Sequence, residues 1–64
     1  MEEVMESLRN KIVKIVFKDG EEIRSIRGKL ISYSPDFIKI QTFQNEMLIA
    51  RSTILKIKLG EKNV

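Results

Sequence analysis

GKLISYSPDFIKIQTFQNEMLIARSTILKI, residues 28–57, carries the pattern that decides the fold. It reads as strands over Gly28–Tyr33, Phe37–Phe43 and Met47–Arg51, with a fourth over Ile54–Leu59 after an abrupt Ser52–Thr53 break. Apolar residues alternate along it: Ile26, Gly28 and Leu30 fall on one face, Ile31 and Tyr33 on the other. Period-2 runs rich in β-branched residues fit a twisted, half-buried sheet. Gly28 in mid-strand requires a sharp bend or another backbone brought close, because glycine otherwise weakens a strand. The turns are Ser34–Pro35–Asp36, where proline cannot donate to a ladder and the flanking side chains close local hydrogen bonds, and Gln44–Asn45–Glu46.

Upstream, Lys11–Lys18 is a strand with Val13, Ile15 and Phe17 on one face and Ile12, Lys14 and Val16 on the other. Asp19–Gly20 is a hairpin signal. The next strand runs from about Ile23 to Tyr33, and the three-residue spacing of Ile23 and Ile26 predicts a bulge near Arg24–Ser25. Residues 2–10 form a short helix: Met5 and Leu8, with Val4, make a narrow apolar stripe. Glu2, Glu3 and Glu6 lie in its first turns and Arg9 and Lys11 at its far end, where the helix dipole favours each sign. A helix this short forms only by packing on the rest of the domain. The chain is thus one mainly β domain over 1–64: a helix at about 2–10, a five-stranded antiparallel barrel over about 11–59, and a frayed tail at 60–64.

Sixty-four residues bury little surface, and chains of this size draw stability from disulfides, metals or oligomerisation. With no Cys and no His, disulfides, the usual metal ligands and Ser-His or Cys-His catalysis are excluded, leaving oligomerisation. No cofactor and no enzymatic activity are expected. Apolar runs are far shorter than the roughly 20 residues that span a bilayer, and the start carries no signal-peptide pattern, so the expected setting is cytoplasmic, without a membrane partner. The 12 Lys and Arg face 9 Asp and Glu, and leaving aside Glu2, Glu3 and Glu6 gives 12 basic against 6 acidic side chains over residues 7–64. That balance favours a polyanion.

The fragments SLRNKIVKIVFKDG (7–20), IRGKLISYS (26–34), DFIKIQ (36–41) and ARSTIL (50–55), in this order and spacing, resemble the Sm fold and its bacterial branch, Hfq. The resemblance covers residues 5–59. It implies a strongly bent Sm-like barrel whose fourth strand pairs with the fifth of the next subunit, here Met47–Arg51 with Ile54–Leu59. Such pairing closes a homo-oligomeric ring of six or seven. It further implies a non-catalytic RNA chaperone or scaffold holding single-stranded RNA, U- or A-rich. Phe37 matches the aromatic that stacks a base near the pore, Lys39, Arg51, Ser52 and Thr53 would lie beside it, and Arg9 and Lys11 match part of a basic outer rim. The chain departs from the family at Ser34, Ile38 and Leu48–Ile49, where polar base-reading groups are replaced.

Each of these residues also has a plainer reading. Phe37 and Tyr33 serve equally as packing aromatics, Ser52–Thr53 as a backbone turn, and Arg51 as half of an ion pair. Lys14, Lys29, Lys39, Lys56 and Lys58 also fit a solvated strand face. Two other functions fit the sequence: a protein-interaction module that kept the fold and lost RNA binding, and a small DNA-binding barrel.

Overall fold

The computed structural model describes residues 2–60. It contains helix α1 (Glu2–Leu8) and strands β1 (Ile12–Asp19), β2 (Glu22–Tyr33), β3 (Phe37–Gln41), β4 (Glu46–Ala50) and β5 (Ile54–Leu59), with a single 3-10 turn at Arg51–Thr53 before β5. All strands join one antiparallel sheet in the order β4-β3-β2-β1-β5. The mainly β expectation therefore holds, but the sheet does not close into a barrel: β4 and β5 are its two edges. The sheet curls until β4 faces the β1–β2 hairpin across a cleft of about 300 Å³ lined by Phe17, Arg24, Met47, Leu48 and Ile49 among others.

One side of the sheet makes the core. Val13, Ile15, Leu30, Ile38 and Ile40 are fully buried, joined by Met5, Leu8, Phe17 and Ile49. Each such side chain contributes about 1.5–3 kcal/mol by leaving water. Helix α1 docks through Met5 and Leu8, whereas Val4 is half exposed and not part of the stripe. The helix ends at Leu8, two residues earlier than its sequence pattern predicts. Asn10 adopts a left-handed φ of 68° and its N–H donates to the Leu30 carbonyl (2.7 Å), so the chain turns into β1 there.

The β1–β2 hairpin is regular from Asp19↔Glu22 to Ile12↔Lys29, so the predicted bulge near Arg24–Ser25 is absent. Its loop is Gly20–Glu21, with Gly20 supplying the positive φ (66°) that a two-residue hairpin loop needs. The irregularities lie elsewhere. Against β3, Leu30 pairs with Ile40 and Ser32 with Lys39, so Ile31 is an extra residue; against β1, Leu55 of β5 is extra in the same way. The bulge at Ile31 inverts the alternation of β2. Tyr33, expected on the face opposite Leu30, instead pairs with Ile38 and packs on the core.

Gly28 is where backbone comes close. A Cβ there would stand 2.7 Å from the Gln41 carbonyl oxygen and 2.5 Å from Ile40 Cγ2. Strand β3 stops at Gln41 rather than Phe43, because the Thr42 hydroxyl accepts the N–H groups of Gln44 (3.2 Å) and Asn45 (3.1 Å) and folds 42–45 into a loop. Phe43 at its tip is 96% exposed. Gly60, expected in the tail, is buried and donates its N–H to the Ile12 carbonyl (2.9 Å), while 61–64 lie outside the described residues. No helix among the described residues is long and apolar enough to cross a membrane.

Candidate nucleic-acid interface

Four of the seven residues singled out by sequence gather at one end of the sheet, where the β2–β3 turn meets the β4–β5 connection. The turn is built on Ser34. Its hydroxyl accepts the N–H groups of Asp36 (3.3 Å) and Phe37 (3.1 Å), and its own N–H donates to the Phe37 carbonyl (2.8 Å). Arg51 clamps the turn from the other side: its N–H donates to the Asp36 carbonyl (2.8 Å) and its guanidinium to the Ser34 carbonyl (2.6 Å). Arg51 is thus a half-buried bracket between two connections, a role that its place at the end of an apolar run did not signal.

Phe37 opens β3 directly after this turn. Its cross-strand neighbour is Ala50, too small to cover an aromatic ring, and Phe37 is 47% exposed. The peptide that presents it is held at both ends by Ser34, so the ring sits on a pre-organised support. Ser52 and Thr53 occupy the 3-10 turn next door. Thr53 turns its hydroxyl onto the Ala50 carbonyl (2.7 Å), while Ser52 is exposed. These bonds make Thr53 a structural residue of the turn and leave Ser52 as the polar side chain offered outward.

Lys39 stands two residues along β3 on the outward side with Phe37, opposite Leu48, and its ammonium lies 3.9 Å from the Glu46 carboxylate. An exposed pair at that separation is worth at most about 1 kcal/mol and exchanges readily with another anion. Arg9 and Lys11 belong to the junction between α1 and β1. Arg9 lies 3.7 Å from Glu6, and Glu6 accepts the Tyr33 hydroxyl (2.7 Å), which ties the helix to the residue preceding the Ser34 turn. Lys11 is exposed and its carbonyl accepts the Leu30 N–H (3.0 Å), which fixes the junction against β2 rather than against the Phe37 end.

The positions at which the sequence departs from the Sm pattern also have clear places. Ile38 and Ile49 are buried in the core and pair with one another across β3 and β4, so neither offers a polar group to a ligand. Leu48 points outward and is 65% exposed. The site can therefore stack an aromatic base on Phe37 and attract phosphate through Lys39; it has few groups placed to read a base edge. Compared with known proteins, the chain matches no family model, no curated protein and no solved structure.

Proposed function

We propose that this protein is an Sm-like module that assembles head to tail through its two sheet edges and holds single-stranded RNA as a non-catalytic chaperone or scaffold. The observation that carries the reading is the strand order β4-β3-β2-β1-β5, which leaves both edge strands unpaired in a chain whose small core gains stability from a partner. Pairing β4 of one subunit with β5 of the next removes both edges at once, and a heterologous contact of this kind closes into a ring when its rotation allows. Leu48, Leu55 and Leu59, each more than half exposed, lie on these two strands. In a ring of six or seven, the Phe37 ends recur around the assembly and offer repeated stacking platforms for U- or A-rich RNA. Stacking on an aromatic is worth about 1–3 kcal/mol per base.

One observation favours a second reading, a protein-interaction module of the same fold that does not bind RNA. Arg51 is spent on the Ser34 carbonyl and Lys39 faces Glu46, so the cations nearest Phe37 have partners within the chain.

Native mass spectrometry with and without short oligo-U and oligo-A separates the readings. A six- or seven-fold mass that gains a whole RNA strand, with affinity reduced about tenfold or more by Phe37→Ala, is the expected result. The same ring refusing both oligonucleotides leaves the interaction module, and a monomer overturns both.

A further inference from the structure

The regular β1–β2 hairpin places cations side by side that are far apart in sequence. Lys14 of β1 is directly opposite Arg27 of β2 on one side and Lys58 of β5 on the other. Lys29 pairs with Ile12 in the row on one side of these three, and in the row on the other side Val16 stands between Ser25 and Lys56. All lie on the face opposite the core, since Val13, Ile15 and Gly28 alternate with them and are buried. Neighbouring rows are about 6.8 Å apart along the strands, and neighbours within a row about 4.8 Å. The result is a compact array of five cations across three strands.

None of the five takes part in an ion pair among the described residues. Among the described residues the acids lie elsewhere: Glu3 and Glu6 in α1, Asp19, Glu21 and Glu22 at the hairpin turn, Asp36 in the β2–β3 turn, and Glu46 at the start of β4 beside Lys39. Glu61 follows the last described residue. Like charges directly opposite one another weaken a sheet. Protection of an edge accounts for Lys56 and Lys58, and also serves Arg27, because β2 before Lys29 has no partner in β3; Lys14 is paired on both sides, with Arg27 and Lys58, so edge protection does not account for it. Ordinary solubility would be served as well by alternating signs.

The geometry points to this face as a phosphate track: a second binding surface, distinct from the Phe37 end, that holds the backbone of an RNA strand without reading its bases. The residues between the cations, Ile12, Val16 and Ser25, include no aromatic for stacking, and the two apolar ones, Ile12 and Val16, are partly buried rather than held out for insertion into a lipid layer. A lattice of positive charge with no base-reading group matches the phosphodiester chain. The partner class is shared with the proposed function, but the array follows from strand register alone and requires neither the ring nor Phe37.

The test compares the wild-type protein with the Lys14→Gln/Arg27→Gln/Lys58→Gln variant by fluorescence anisotropy on labelled oligo-U and oligo-A between 50 and 300 mM salt. Every phosphate that loses its cation flattens the plot of log affinity against log salt by about 0.7 for a single strand, so the variant should lose about 2 from the slope, equally for both sequences. Phe37→Ala should weaken binding while leaving the slope in place, which separates this surface from the stacking site. Circular dichroism establishes that the variant is folded. Acetylation mapping of the wild type, with and without oligo-U, gives a second measurement that needs no substitution, with Lys14, Lys56 and Lys58 expected to be protected. An unchanged slope in the folded variant, equal acetylation with and without RNA, or binding to phosphatidylserine vesicles but to neither oligonucleotide overturns the proposal.

Discussion

Replacing Gly28 with alanine should destabilise the protein by about 1.5 kcal/mol, although alanine normally favours folding at a site it can occupy. The new methyl would stand 2.5 Å from Ile40 Cγ2 and 2.7 Å from the Gln41 carbonyl oxygen, against about 3.5–4.0 Å for comfortable carbon contact. Ile40 is fully buried and has little room to swing. The Gln41 oxygen belongs to the backbone of β3, whose pairing with Lys29 fixes it. Relief therefore requires β3 to move off β2. Overpacking of this kind costs about 1–3 kcal/mol, offset by about 0.4–1 kcal/mol from the less flexible unfolded chain.

For 64 residues the whole stability is of order 3–10 kcal/mol, so the loss is a large share of it. With a urea slope of about 1 kcal/mol per molar, the midpoint should fall by roughly 1.5 M. The comparison is made at two protein concentrations, because assembly would stabilise the folded state by mass action. Gly20→Ala is the control: nothing lies within 4 Å of its added methyl, and its cost of about 1–2 kcal/mol arises only from the positive φ. A Gly28→Ala midpoint at or above the wild-type value would refute the close approach of β3.

Two further outcomes follow from single hydroxyls. Thr42→Val keeps the shape of the side chain but removes the oxygen that accepts two N–H groups and donates to the Asn45 carbonyl (3.0 Å). It should cost about 1 kcal/mol in urea denaturation and speed hydrogen exchange at Gln44 and Asn45. Tyr33→Phe removes the 2.7 Å bond to Glu6, and because that bond is open to solvent the loss should stay under about 1 kcal/mol. Its clearest sign should be faster exchange in α1, with no change in the core strands.

What is legible in the sequence is whatever local alternation controls. Val13, Ile15 and Phe17 fill the core as their spacing predicts, and Ile38 and Ile40 follow the same rule. The spacing within β2 predicts a bulge but misplaces it, because an extra residue is defined by the strand it faces, and the register of β2 against β3 is not written in β2 alone. Ile31 continues an apolar run without interruption, yet it is the residue left over, and Tyr33 changes faces as a consequence. The end of β3 is hidden for a different reason. Phe43 extends the alternation of Phe37, Lys39 and Gln41, but the Thr42 hydroxyl offers the backbone a competing set of bonds. At the candidate site, the gathering of Phe37 with 51–53 is expected only from the resemblance of the fragments to the Sm pattern, and the clamp of Arg51 on Ser34 spans 17 residues of chain. The cation array is hidden as well, because a bulge at Arg24–Ser25 would put Lys14 out of register with Arg27.

The two sheet edges differ in a way that bears on assembly. Strand β5 carries Lys56 and Lys58 on its outer side and a bulge at Leu55, both of which discourage indiscriminate pairing. Strand β4, Glu46–Ala50, has no lysine, no proline and no bulge against its neighbour, and it exposes Leu48. An edge left so undefended is a liability for any soluble protein unless a partner strand covers it. Partnering β4 with another β4 would bury that edge but leave every β5 open. The proposed β4–β5 pairing engages both, and because a β4–β5 contact joins two different surfaces it gives a closed ring where its rotation closes and an open filament where it does not. In that proposed pairing the guarded edge would also set the specificity: a strand bulged at Leu55 and flanked by lysines accepts a partner only in a register that suits it, which works against indiscriminate stacking of edges.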